Sequence, residues 1–345
     1  MGAREVTTTL ASEQARPGAV AHRVGAALLH APTARFVGRR LLSSAVLLFV
    51  VSALTFVLAS LIPGDPARQI LGPQATPESY AALRQALGVD VPVYQQYWEW
   101  LRHAVTGDLG TSLFDAVPVT ETIGRRLPVT LSLTIGTLLV SLVAGVALGV
   151  ASAVRGGVVG RAVDAFALLG LAFPPFWIGA LLLSWFAVGL GWFPTFGYVP
   201  FDESPGEWLR SLVLPVTALS AFGVSVIAKQ TREAMLEALA SDYVRMARAS
   251  GVSQTSIVLR HALKNAAMRI LTMVGLLAVT LLGGTVAVEI VFGMPGLGEL
   301  AVTSTTRHDA PMLQGIVVCF TIVVIAINLL VDVCYTLVNP KVRTR

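Results

Sequence analysis

The chain has 345 residues, 54% of them hydrophobic and only 13% charged, about half the charged share of a typical soluble domain. Its mean hydropathy of +0.72 excludes an ordinary water-soluble enzyme and points to a bilayer as solvent. The basic balance, with a pI near 9.6, lacks the interleaving with aromatics that marks a nucleic-acid surface, so no nucleic-acid partner is expected.

In chain order, residues 1–35 are small, polar and Arg-bearing without an apolar core. They are expected to be a disordered cytoplasmic extension and not a signal peptide. Residues 36–62 carry the first charge-free run, 41–62, long enough to span about 30 Å of hydrocarbon as a helix. Residues 63–126 form a long extracytoplasmic loop with helix punctuation of its own. Thr76-Pro77 supplies an N-cap and a first-turn proline, and Gly88 suits the C-terminal cap. A second short helix is expected from Asp90 to about Val105, closed by Gly107. Its Tyr94, Tyr97, Trp98 and Trp100 suit headgroup level, where ring faces are apolar and polar edges stay wet. A brace against the bundle is favoured there over a docking surface.

The core, 127–339, holds five further charge-free runs: 127–154, 165–201, 211–228, 270–288 and 310–331. Gly191, Pro194, Gly197 and Pro200 crowd the second half of the third run. It is therefore read as one span near 165–190, kinked at Pro174-Pro175, followed by an exposed loop. Residues 340–345 form a cytoplasmic tail. The expected class is an all-α membrane protein with six transmembrane helices and both ends on one side. Arg and Lys in short loops favour the cytoplasm. With both termini inside, the inner segments hold 18 of the 25 basic residues, and the outer segments hold 12 of the 20 acids.

The inner segment 233–264 is the most informative. It reads Glu237-Ala-Leu-Ala-Ser-Asp242-Tyr-Val-Arg245-Met-Ala-Arg248-Ala-Ser-Gly251. Leu236, Leu239, Tyr243 and Met246 fall at helical spacing on one face, with Asp242, Arg245 and Arg248 elsewhere. Gly251 can end that helix in the left-handed conformation, and Ser253 can cap the next, which is expected to bury Ile257, Val258, Leu259, Ala262 and Leu263. The result is helix, sharp turn, helix. Amphipathicity alone leaves two readings equal: a helix pressed into a groove on a soluble partner, or a surface helix on the bilayer.

Other chemistry is missing. No lysine is followed by Ser or Thr, so there is no P-loop. His-Glu-x-x-His, Cys-x-x-Cys and Gly-x-Ser-x-Gly patterns do not occur, and the five histidines are dispersed. Gly293-Met-Pro-Gly296-Leu-Gly298 reads as a turn and not as a nucleotide loop. Asp164, Glu289 and Asp332 lie near span ends, which leaves no ionisable group in mid-membrane for a proton-coupled carrier. Cys319 and Cys334 share the last span and read as apolar filler.

The run Asp242-Tyr243-Val-Arg-Met-Ala247-Arg248-Ala249-Ser-Gly251, followed by His261-Ala-Leu-Lys-Asn265-Ala266, closely resembles the EAA coupling loop of importer-type ABC permeases. It is closest to the dipeptide/oligopeptide/nickel branch. Pro63-Gly-Asp-Pro66, Gly107-Asp-Leu-Gly110, Arg126-Leu-Pro-x-Thr130, Pro295-Gly-Leu-Gly298, Gln314-Gly315 and the ending Asn328 to Pro340 agree in order and spacing. The resemblance covers about residues 36–343. It implies the importer-type permease fold in a bacterial inner membrane, pairing with a homologous second permease, two ABC ATPases and an extracytoplasmic solute-binding protein. ATP and Mg would lie on those ATPases, with no cofactor on this chain. Asp242, Tyr243, Arg245, Ala247, Arg248 and Gly251 are then the expected ATPase contacts. Arg269 stands where relatives commonly have proline. A self-sufficient channel or secondary carrier is the competing reading.

Overall fold

The computed structural model describes residues 31–338 apart from 62–64, 73, 74 and 89. By its contacts the chain divides into two units, Met1–Val50 and Val51–Arg345. The described part of the first unit is the beginning of helix α1 (Ala31–Ser60). All regular elements among the described residues are helices. After α1 come α2 (Pro66–Leu71), α3 (Pro77–Leu87), α4 (Val93–Val105), α5 (Val119–Arg155) and α6 (Gly157–Ala172). Then follow α7 (Pro175–Gly189), α8 (Pro205–Ala240), α9 (Asp242–Ala249), α10 (Gln254–Val291), α11 (Leu297–Arg307) and α12 (Ala310–Val338).

Helices α1, α5, α8, α10 and α12 are each long and apolar enough to cross a membrane. The third expected span is not one helix. α6 and α7 meet at 96°, and each is only about 22–24 Å long at 1.5 Å per residue, too short to cross alone. The cause is local. Pro174 forces the preceding Phe173 out of the helical region, to φ −96° and ψ 128°, and Pro175 has no N–H to continue the ladder. Six spans result when the broken pair counts as one.

Between helices in lipid there is little hydrophobic drive, so association depends on close packing of small residues. The central seam follows that rule. A Cβ on Gly136 would meet Val216, one on Gly145 would meet Ile227, and one on Gly149 would meet Ala228 and Thr231. Both sets of numbers rise together, so α5 and α8 run parallel. The returning α6/α7 makes this possible. α10 lies antiparallel to α8, with Glu237 bound to Arg269 at one level and Gly223 close to Leu277 at another. α12 is antiparallel to α10, through Gly275 against Val331 and Thr272 hydrogen-bonded to Tyr335. The buried core runs through this group, with Leu133, Leu219, Ile227 and Met235 fully enclosed. Outward residues such as Val143, Leu168 and Leu330 remain exposed, as a hydrocarbon solvent requires.

A second, smaller core joins α5, α11 and α12 at the end of the bundle opposite α9, through Val119, Ile123, Leu297, Leu300, Met312 and Ile316. The short helices gather at the same end. As the sequence leads one to expect, Thr76 caps α3, accepting from the Ser79 amide, and Gly88 closes it with φ 65°. α2 was not anticipated. Asp65 caps it by accepting from the Ala67 amide at 2.9 Å and also takes Arg84 Nη1 at 2.5 Å and the Tyr80 hydroxyl. Burial alone would raise the Asp65 carboxyl, but hydrogen bonds from Tyr80, Ala67 and Arg84, with the Arg84 charge, hold it below the ordinary carboxylate range.

This linkage has a definite sign. A carboxylate whose folded-state pKa is depressed stabilises the structure above its unfolded value, and that contribution is lost as pH falls through the folded value. Protection of the α2 and α3 amides, relative to an unfolded chain at the same pH, should therefore be high at neutral pH and fall below the usual carboxylate range. Asp65→Asn should show the low protection at every pH. Identical exchange in the variant at pH 7 would refute the tie.

Candidate functional site

α9 is an eight-residue helix set between the long helices α8 and α10. Ser241 separates it from α8. Its extended conformation, φ −71° and ψ 155°, ends one helix, and its carbonyl starts the next by accepting from the Val244 and Arg245 amides. Asp242 in the first turn suits the positive end of the helix dipole. The far end is a Schellman closure, with the Val252 amide on the Ala247 carbonyl and the Gly251 amide on the Arg248 carbonyl, both at 3.1 Å. Gly251 sits at φ +75° with open space around it. Ser253 then receives the Ser256 amide at 3.4 Å, and the chain enters α10 through a wide π-type turn at Ile257–Ala262. Ile257, Val258 and Ala262 are buried there, Val258 and Ala262 in the same core as Ala234, Met235 and Ala238 of α8. Leu259, expected inside, is 54% exposed.

The buried face of α9 differs from the expected one. Val244 is fully buried and Ala247 half-buried, while Met246 is 73% and Tyr243 40% exposed. The expected stripe carried the phase of Leu236 and Leu239 across Ser241, but the break there restarts the helix at a new angle. Exposed Tyr243 and Met246 therefore share the outer surface with Asp242, Arg245 and Arg248. Arg245 lies 3.6 Å from Asp242, with both side chains largely in solvent, so the pair adds little stability. The Tyr243 hydroxyl accepts from Asn265 Nδ2 at 3.0 Å and ties α9 to α10. Arg269, in place of the expected proline, makes a two-bond pair with Glu237, and α10 runs unbroken past it.

At the opposite end, two of the singled-out stretches meet. Thr130 donates to Glu289 Oε1 at 2.8 Å and accepts the Leu297 amide at 2.9 Å. Glu289 Oε2 accepts the Glu299 amide at 3.0 Å, and Arg126 pairs with Glu299. The fully buried Glu289 thus caps the start of α11. The backbone folds so tightly round its carboxylate that neither Gly296 nor Gly298 has room for a Cβ. This junction was missed from sequence. Its signal lay in the separate Arg126-x-x-x-Thr130 and Gly296-x-Gly298 spacings, whose proximity only the fold reveals. Nearby, Asp309 receives the Ser112 hydroxyl at 2.5 Å and the Leu113 amide at 3.3 Å, which pins the loop before α5 to the start of α12. Gln314 Nε2 donates to the Ser52 carbonyl at 2.8 Å.

Among solved structures, a chain of the MetNI methionine ABC transporter in an inward-facing conformation superposes with a TM-score of 0.52 at 20% identity, over 63% of this chain and 96% of that one. The helical bundle, with a short helix exposed between two spans, therefore has the fold of an importer-type permease. Residues 145–344 match the family model of the binding-protein-dependent transport system inner membrane component, and residues 33–134 match that of its N-terminal part. The chain belongs to this family and is a multi-pass inner-membrane permease component of a binding-protein-dependent ABC importer. A putative peptide transport system permease protein of Brucella abortus is 41% identical over 306 residues, 88% of this chain and 98% of that one. A probable peptide ABC transporter permease protein of Sinorhizobium fredii is 39% identical over 309 residues, 89% of this chain and 99% of that one. The glutathione transport system permease protein GsiC of Salmonella choleraesuis is 42% identical over 309 residues, with 89% and 98% coverage.

Proposed function

We propose that this chain forms part of the path by which peptides or glutathione-like solutes enter the cell, with α9 as the handle on which a cytoplasmic ATPase acts. The observation that carries the coupling reading is the outer face of α9, where Tyr243 and Met246 lie exposed among Asp242, Arg245 and Arg248. An apolar centre ringed by charge is the pattern of a helix that docks in a groove. Ala247 and Gly251 serve it indirectly, as the packing and closing positions of the same helix. The substrate class rests on relatives named for peptide and glutathione transport. The supporting cast would be a homologous permease, two ATPases that bind ATP and Mg, and a solute-binding protein. This chain itself would hydrolyse nothing and hold no cofactor.

Orientation follows from the basic asymmetry, which puts the α9 end and both termini in the cytoplasm. Single cysteines at positions 10, 85, 204 and 343, in a background without Cys319 and Cys334, test it in intact cells. An impermeant thiol reagent should label 85 and 204 only, and the inverse pattern would refute the orientation. For coupling, Arg245→Glu with Arg248→Glu should reduce co-purification of the ATPases by roughly tenfold, the cost of reversing charge at a docked surface, with the level of the chain in the membrane unchanged. Undiminished co-purification would remove α9 from the interface. Uptake by liposomes holding this chain alone, without ATP, would establish a self-sufficient carrier instead.

A further inference from the structure

The helical ladder is broken at one place deep in the bundle, between α6 and α7. Pro174 and Pro175 stand four residues after Gly170 and Leu171 and carry no N–H, so both of those carbonyls lose their helical donors. Beyond the break, the Trp177 and Ile178 amides turn to the Pro174 carbonyl, at 3.0 and 3.3 Å. The depth is given by α8. A Cβ on Gly170 would stand 2.6 Å from the Ala221 carbonyl oxygen and against the Ser225 hydroxyl. Those two residues lie inside the charge-free run 211–228, and each is about 23–30 Å along the axis from either end of α8. The break is therefore level with the middle of a helix that crosses the membrane.

It also lies on the outside of the chain. Leu171, Phe173, Phe176 and Trp177 are 40–46% exposed, with Ala172 and Pro174 exposed between them. Phe173 and Trp177 stack across the bend, their ring centroids 5.1 Å apart and their planes 11° from parallel. Hydrocarbon is a poor cover for this surface, because it offers no donor to a free carbonyl. Non-helical backbone at membrane depth is tolerated only inside protein or along a water-filled cavity. Val143 and Leu168, which also face outward, sit within helices and make no such demand.

We propose that the segment 171–177 lines a water-filled solute path, with the Phe173–Trp177 pair as its apolar contact and the Gly170 and Leu171 carbonyls as its acceptors. This rests on the reading that the chain forms part of such a path, and it names the residues of this chain that meet the solute. Broken helices at mid-membrane are a recurrent way of building solute sites. The surface suits a short peptide, whose ammonium or amide N–H groups meet the carbonyls while an apolar side chain lies on the ring faces. It suits a dry contact with the homologous permease of the proposed pair less well, because a matching break there would bring acceptors of the same kind and leave both sets without donors.

The test uses the full-length chain in membrane vesicles, with the subunits that accompany it and with Cys319 and Cys334 replaced. Single cysteines at positions 172, 173 and 177 are treated with a small charged methanethiosulfonate, which attacks thiolates in water and not thiols in hydrocarbon. They should react at least about tenfold faster than cysteines at the outward-facing positions 143 and 168. Equally slow reaction at all five would overturn the proposal. So would slow reaction at 172, 173 and 177 accompanied by disulfide cross-linking of those cysteines to a second permease, since the break would then be sealed between subunits. The solute contact has its own readout. The vesicles are given a mixture of dipeptides with ATP and the solute-binding protein, and mass spectrometry identifies what accumulates. Phe173→Ala with Trp177→Ala should lower the uptake of dipeptides bearing aromatic or branched side chains by roughly tenfold relative to glycylglycine, the scale of an aromatic contact, with co-purification of the ATPases unchanged. An identical spectrum from the variant would remove the rings from the solute path. Failure of the unsubstituted complex to take up any dipeptide would instead refute the peptide reading, and the cysteine rates would still decide whether the break is wet.

Discussion

Gly149→Leu should prevent the chain from accumulating in folded form, with the yield of monodisperse protein lowered at least about tenfold. A Cβ at Gly149 would stand 2.6 Å from the Ala228 carbonyl oxygen and 2.6 Å from Thr231 Cβ. The first obstacle is backbone, which cannot rotate away as a side-chain tip would. Overpacking a well-filled interior costs about 1–3 kcal/mol even where side chains can adjust, and here the helices themselves must separate. Separation would also open the contact at Gly145, where a Cβ would lie 2.7 Å from Ile227 Cβ. Alanine at 149 is enough to collide, so Gly149→Ala should already lower the yield. Gly283→Ala is the control, since nothing lies within 4 Å of its Cβ position and alanine is the better helix former. Normal yield from Gly149→Leu would show that α5 and α8 do not meet as described.

Gly251→Val should leave insertion intact and lower transport by roughly tenfold. The surroundings of Gly251 are open, so the added side chain meets no obstacle, and the penalty comes from the backbone at φ +75°. A non-glycine residue in the left-handed region costs about 1–2 kcal/mol, and a β-branched one is a stronger outlier. About 1.4 kcal/mol corresponds to a factor of ten in an equilibrium. The spans that decide insertion are untouched, so the strain falls on the joint between α9 and α10. Gly251→Asn separates conformation from volume, because asparagine visits the left-handed region readily, and it should retain most of the activity. Membrane level by immunoblot and uptake by vesicles read the two effects separately. Full uptake with valine would mean that the closure at Gly251 has no part in coupling.

The features legible in the sequence were those with a local cause. Thr76-Pro77 and Gly88 defined α3 because cap and turn chemistry act within one residue of where they are written. The charge-free runs marked the long helices because the bilayer filters composition directly. What was hidden depended on angle or on distant pairing. Pro174-Pro175 announced a disturbance, but the 96° size of the bend is seen only in the fold. The face of α9 was misread by carrying one helical phase through Ser241-Asp242, although Ser followed by Asp is itself a helix-start signal. Glu289 passed for a charge near a span end, because its partners Thr130 and Glu299 lie 159 and 10 residues away in the chain. Ser141, Gly145 and Gly149 have the spacing of a close-approach face, but the reading of the sequence did not pick them out, and their parallel partner α8 shows only in the fold.

The parallel seam also has a mechanical meaning. α8 has 36 residues and α5 has 37, rods of about 54–56 Å, and their glycine-lined contact lets neither slide or tilt without the other. If the two moved as a single beam, α9 would be the attachment at one tip. At the other tip Trp208 Nε1 meets the Tyr198 hydroxyl at 3.1 Å. A tilt of about 5° about the middle of such a beam moves each tip roughly 2 Å, comparable with the helix shifts that switch packed interfaces between states. On the role proposed for α9, a push there too small to disturb its own turn would then reach the other tip as a displacement the size of a side-chain contact.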